Sequence, residues 1–298
     1  MTRGACVTLM LALAAAPTLA AGGRYDQPKK LLQLSNGISI AYIELGDRHK
    51  PPLIVLHGIT NSARGYLPLG WQLADDHHVL LLDMRGHGAS SKPACCYSRL
   101  DFAYDIKLLM DQLHIARADI AGHSLGSIVA QTFAEYWPER TQHLVLIAST
   151  VGRRSQADMP GDPPSTFGAG IDSAIAHLQD PIDPDSAFMR EWWNVPDVDP
   201  VLLAVLRRES AAIPAVIWRA MLEQLASSND LRFTMGRIKA PTLLVFGGKD
   251  GLFGAETQEA LKAQLPNAKV VLFPDLGHSL PEQDPAAVTT AIHEFLVH

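Results

Sequence analysis

Six short apolar runs set the strongest constraint on this chain: residues 53–56, 79–82, 118–121, 144–148, 242–246 and 269–273. Each is too short for a stable helix, and each leads into a loop carrying Gly, His, Asp or Ser. Continuous apolarity, rather than alternation, is what a strand needs when both its faces are covered, as in a parallel sheet. Helical patterns fall between the runs. Residues 66–74 can form a crossover helix, and 101–114 place Phe102, Ile106, Leu109 and Leu113 on one stripe. Residues 127–137 and 256–265 supply two more helices. In the last one Asp284 caps, Pro285 starts, and Val288, Ile292 and Phe295 form the buried stripe. Upstream, 31–34 and 38–44 flank Asn36-Gly37, the strongest short signal for a hairpin. Alternating strands and helices predict the α/β class, a mostly parallel central sheet with helices on both faces.

The rhythm breaks after residue 151. From there to 235 no buried-strand run occurs, and prolines recur at 160, 163, 164, 181, 184, 196, 200 and 214. We therefore divide the chain into a core of residues 24–151 and 236–298 and an inserted helical cap of residues 152–235. Residues 202–206 and 213–225 have the spacing of amphipathic helices. Phe188, Met189, Trp192, Trp193 and Trp218 give the insertion apolar bulk, either as its own core or as the ceiling of an apolar pocket.

Composition narrows the classes. With 47% hydrophobic and 19% charged residues the chain is neither disordered nor fibrous, and a formal charge of −6 without a basic run gives no footprint for nucleic acid. A small-molecule substrate is expected. Arg3, an apolar centre over 6–16 and the small-residue ending Pro17-Thr18-Leu19-Ala20 have the form of a secretory signal peptide, residues 1–20. A retained anchor is the alternative, although the run falls short of the ~20 residues a spanning helix needs. Export to the periplasm or medium is the expectation, with no membrane span once the leader is removed. The sequence leaves the oligomeric state open. Cys95 and Cys96 are neighbours. They are expected as two half-buried thiols, with a vicinal disulfide or an intermolecular pair as alternatives. No Cys/His cluster has zinc-ligand spacing, and no metal or cofactor is expected.

Chemistry concentrates at Gly122-His123-Ser124-Leu125-Gly126, between a strand run and a helical run. Glycines two residues either side of a serine suit a turn so tight that a Cβ would clash, leaving the hydroxyl exposed at a helix start. Downstream, Asp250 and His278 each follow a strand run. Active sites of parallel sheets lie at such strand ends. A serine hydroxyl needs a base to take its proton, and the base needs a carboxylate to fix its tautomer. Asp275, close before His278, is expected to bond its own loop instead.

These features resemble the α/β-hydrolase family over essentially the whole chain after the leader. The matching motifs are Gly-His-Ser-Leu-Gly, His57-Gly58 after an early strand, the Asp-x-Arg-Gly-His-Gly-x-Ser loop from Asp83 to Ser90, Asp250 after Gly-Gly-Lys, and Gly277-His278. The resemblance implies Ser124 as nucleophile, His278 as base and Asp250 as orienting acid. It implies the backbone N–H groups of Ile59 and Leu125 as the oxyanion hole. Some members place the acid one strand earlier, but Ser149-Thr150 carries no carboxylate there. His87 is expected to be structural, His57 to orient the oxyanion loop at the edge of a pocket with Trp192, Trp193 and Trp218, and His123 to point away from the site. The activity implied is hydrolysis of small, apolar carboxylic esters or lactones through an acyl-enzyme. Carbon–carbon or amide bond cleavage on the same triad is the alternative, and a non-enzymatic binding module the remaining one.

Overall fold

The computed structural model describes residues 23–152, 169–226 and 231–297. The leader expected over residues 1–20 lies outside them. Eight strands form one sheet: β1 (Lys30–Gln33), β2 (Ser39–Leu45), β3 (Pro52–Leu56), β4 (His78–Asp83), β5 (Ala118–His123), β6 (Thr141–Ile147), β7 (Thr242–Gly247) and β8 (Lys269–Phe273). Their spatial order is β1-β2-β4-β3-β5-β6-β7-β8. The hairpin β1–β2 turns at Gly37, whose φ of +86° needs no Cβ. Strand β2 pairs antiparallel with β1 and β4, and every later pairing is parallel.

Helices cover the sheet. The core carries α1 (Leu67–Leu73), α2 (Arg99–Gln112) and α3 (Leu125–Tyr136), then α9 (Ala255–Gln264), α10 (Leu280–Gln283) and α11 (Pro285–Leu296). Between β6 and β7 run α4 (Ala169–Ala176), α5 (Ala187–Trp192), α6 (Pro200–Ala211), α7 (Ala215–Ala226) and α8 (Arg232–Met235), and no strand interrupts them among the described residues. A 3₁₀ turn, Ala63–Tyr66, precedes α1. Ser98 closes the start of α2 with a capping box to Asp101, and Asp284 accepts from Ala287 N–H at the start of α11. None of the helices over the described residues is long and apolar enough to cross a membrane.

Burial explains the apolar runs. Residues of β4, β5 and β7 are buried throughout, because each strand has a neighbour on both sides and helices on both faces. Strand β8 differs from the expectation of a buried strand. As the last strand it has one neighbour, and Val270 and Leu272 stay exposed. The cysteines also depart from expectation: Cys95 and Cys96 are exposed and joined to each other in a vicinal disulfide.

The segment between β6 and β7 is an insertion in the order of strands, and charged pairs fasten it to the elements around it. Lys29 Nζ reaches Asp83 Oδ2 at 2.7 Å and Glu209 Oε1 of α6 at 3.1 Å, and Arg64 pairs with the same glutamate. Tyr25 donates its hydroxyl to Asp199 at 2.6 Å, just before α6.

Candidate active site

The turn from β5 into α3 is shaped by two close backbone approaches. A Cβ on Gly122 would sit 2.2 Å from the Gly126 carbonyl, and one on Gly126 would sit 2.3 Å from the Leu56 carbonyl of β3. Only glycine fits at either place. Between them Ser124 is forced to φ 52°, ψ −117°, outside the regions open to ordinary residues. Its N–H donates to Ile147 O of β6 at 3.0 Å, and its carbonyl accepts from Ser127 N–H and Oγ–H, so the strain is held from both flanks.

His278 and Asp250 close on it from the loops after β8 and β7. His278 Nε2 lies 2.9 Å from Ser124 Oγ, and His278 Nδ1 lies 2.9 Å from Asp250 Oδ2. Asp250 Oδ1 accepts from the N–H groups of Leu252 and Phe253, each at 2.8 Å. Burial alone would raise the Asp250 carboxyl, but the bond and charge of His278 and these two N–H groups outweigh it and hold it below its ordinary value. The carboxylate is thus kept ionised and pointed at the imidazole.

The N–H groups of Leu125 and Ile59 belong to residues that adjoin the serine or line the same cavity. Leu125 is the first residue of α3, where an N–H has no acceptor within the helix and the helix dipole favours negative charge. The N–H of Ile59 makes no hydrogen bond among the described residues. A cavity of about 590 Å³ opens over Ser124 and His278; Ile59, Asn61 and Glu282 line it from the core and Trp192, Trp193 and Val195 from the insertion.

Residues 51–285 match the family model for the alpha/beta hydrolase fold. The chain belongs to the α/β-hydrolase fold family. Among its relatives, a pimeloyl-[acyl-carrier protein] methyl ester esterase of Nitrosomonas europaea is 30% identical over 242 residues, 78% of this chain and 92% of that protein. Lipase 3 of a Moraxella species is 26% identical over 257 residues, 85% of this chain and 79% of that one. The crystal structure of a hydrolase from Pseudomonas aeruginosa superposes with a TM-score of 0.74 at 27% identity, covering 91% of this chain and 98% of that one.

Around the serine this α/β hydrolase buries several ionisable groups. His57, His87 and His123 are all enclosed, and burial drives each imidazole to the neutral form, His57 and His123 to about 3 and His87 well below its ordinary value. Their partners fix the tautomers. Met84 N–H donates to His57 Nε2 at 3.0 Å, so Nδ1 donates to the Gly58 carbonyl at 2.7 Å. Thr60 N–H donates to His87 Nε2 at 3.1 Å, and His87 Nδ1–H donates to Arg85 O at 2.9 Å. His123 Nε2–H donates to the His278 carbonyl at 2.8 Å, leaving Nδ1 to accept the Tyr66 hydroxyl at 2.6 Å. Tyr66 in turn accepts Gly58 N–H at 3.3 Å. Glu282, its carboxyl pushed up to about 8 by burial despite the bond that its Oε1 accepts from Asn61 Nδ2–H, completes the cluster.

Several expectations need correction. His57 and Trp218 do not line the cavity. His57 faces the backbone bonds just described. Trp218 is buried among aromatics, its ring 5.0 Å from Trp192 and 5.6 Å from Phe188. His123 does not point away: the turn leaves the strand's alternation, and its ring borders the cavity 5.2 Å from that of His278. Asp275 pairs with Lys249 at 2.8 Å rather than with its own loop. Ser149, where some members carry the acid, accepts from Gln131 Nε2–H and gives its own hydroxyl proton to Ser127 Oγ, each at 2.7 Å. Tyr66, Asn61, Glu282, Thr60 and Ser210 gave no signal in the sequence, because each has its partner in a distant element.

Proposed function

We propose that this α/β hydrolase cleaves small, apolar carboxylic esters or lactones through an acyl-enzyme on Ser124. The observation that carries the reading is the continuous chain from Ser124 Oγ to His278 Nε2 and from His278 Nδ1 to Asp250, each link 2.9 Å. Ser124 Oγ attacks the carbonyl carbon while His278 Nε2 takes its proton, and the N–H groups of Ile59 and Leu125 bind the oxyanion. Collapse of the tetrahedral species expels the alcohol, which receives its proton from His278. Water activated by the same imidazole then releases the acid. The names of two relatives, a methyl ester esterase and a lipase, point to the same bond class. Ile59, Trp192, Trp193 and Val195 in a wall that also carries charged residues support an apolar substrate.

In this reading residues 152–235, with α4 to α8, act as a cap over the core of 24–151 and 236–298, and the leader directs export. N-terminal sequencing of the mature protein should begin near Ala21; an intact Met1 would reject export. For the chemistry, Ser124→Ala should lower turnover of a p-nitrophenyl ester by ~10⁴-fold or more. It should also abolish labelling by a fluorophosphonate. Hydrolysis near the wild-type rate would reject the nucleophile. Faster turnover of a vinylogous diketone or an amide than of any ester or lactone in the same panel would reject the bond class.

A further inference from the structure

Thr60 follows the Ile59 N–H by one residue and is the most constrained point of the oxyanion loop. Its φ is +60°, in the left-handed region, where a β-branched side chain is a genuine outlier. It is fully buried, so each of its polar groups needs a partner. All three partners lie outside its own loop. Thr60 N–H donates to His87 Nε2 at 3.1 Å. Its carbonyl accepts Ser210 Oγ–H of α6 at 2.7 Å, and its hydroxyl oxygen accepts Trp192 Nε1–H of α5 at 2.7 Å. Two of the three restraints on this strained residue therefore come from the insertion.

The bonds are directed. Trp193 Nε1–H donates to Ser210 Oγ at 2.8 Å, which leaves the serine proton for Thr60 O. Trp192 and Trp193 both also line the cavity. The same two rings that line the cavity thus hold, through their indole N–H groups, Trp192 directly and Trp193 by way of Ser210, the residue next to Ile59. Strain at such a position persists only while its surroundings over-determine it.

We propose that Thr60 is a positioning residue through which Trp192 and Trp193 set the Ile59 N–H, so that the insertion governs transition-state stabilisation as well as access. The proposal rests on the reading of Ile59 as an oxyanion donor. A full oxyanion donor is worth ~10²–10³ in kcat, and a donor left in place but loosely held loses a smaller part of that.

The test uses the full-length protein and a p-nitrophenyl ester series. Trp192→Phe keeps an aromatic ring against Phe188 and Trp218 and removes the N–H. It should lower kcat roughly tenfold with KM within about twofold, and weaken inhibition by a trifluoromethyl ketone in parallel. Thr60→Val keeps the shape and removes the acceptor, and should behave alike. Thr60→Ser restores the hydroxyl and should recover most of the lost kcat. Should Thr60→Val not fold, Trp192→Phe decides. A raised KM with unchanged kcat in Trp192→Phe makes that ring a wall residue alone and overturns the proposal, as does unaltered ketone inhibition. Failure of the nucleophile reading is distinct, because there Ser124→Ala itself would retain activity.

Discussion

In the core each reactive position is held by the end of its own strand, whereas in the insertion the positions that matter are held by contacts to the core. Ser124, Asp250 and His278 follow β5, β7 and β8, and the sheet register brings three loops to one edge. Trp192, in the short helix α5, bonds Thr60 of the core directly, and Trp193, the C-cap of α5, reaches the same residue through Ser210 of α6. Strand ends that share a register converge whatever the loops contain. Helices over a cavity must be tied down one bond at a time.

The backbone of the core should be the least forgiving part. Gly126→Ala would drive a Cβ to 2.3 Å from the Leu56 carbonyl, and a main-chain atom of β3 cannot give way. We expect a loss of ~3 kcal/mol or more in stability and at least ~10²-fold in kcat as Ser124 is displaced. The contrast is Gly236, at the seam where the insertion ends and the core resumes: it caps α8 at φ −61° with nothing within 4 Å of a Cβ. Gly236→Ala should leave activity intact and raise stability by ~0.4–1 kcal/mol. Equal urea midpoints for the two variants would erase the contrast.

Titration should separate the regions next. Glu282 is buried in the core side of the site with its carboxyl raised from 4.5 to about 8. The cavity-lining acids of the insertion, Glu191 and Asp197, are exposed. A folded state that keeps a proton the unfolded chain has lost is favoured at low pH, and the advantage falls by about 1.4 kcal/mol per pH unit. Glu282 therefore stabilises fully below about 4.5, and its contribution is lost as pH rises towards 8. Glu282→Gln cannot lose it, so its melting temperature relative to wild type should climb steadily from pH 5 to pH 8. Parallel melting curves for the two proteins across that range would show that the carboxyl is not held neutral.

The smallest effect is expected in the insertion wall. Val195 borders the cavity. Val195→Ala removes two methyl groups, roughly 1 kcal/mol of apolar contact, which amounts to a few-fold rise in KM for longer acyl chains at constant kcat. A fall in kcat instead would mean that this wall, too, is coupled to the chemistry.

The sheet was legible because its physics is local. A strand covered on both faces must be apolar throughout, so residues 79–82 and 242–246 could be read as β4 and β7 from composition alone. The turn that carries Ser124 was legible for a related reason: Gly122 and Gly126 record a close approach that no other residue allows. Strand β8 was read as buried because its apolar residues carry no mark of lying at an edge. His123 was misplaced because the alternation of β5 ends where the turn begins. His57 and Trp218 were assigned to the cavity by residue type, which carries no direction.

By itself, then, the sequence determined the α/β class, the order of strands and helices, and the serine elbow, since each depends on residues near one another in the chain. Tertiary structure alone decided that burial drives three imidazoles towards the neutral form and raises the Glu282 carboxyl, and that Trp192 and Trp193 reach Thr60. Burial and long-range hydrogen bonds join residues as far apart as Asn61 and Glu282, and no local pattern encodes a partner 221 positions away.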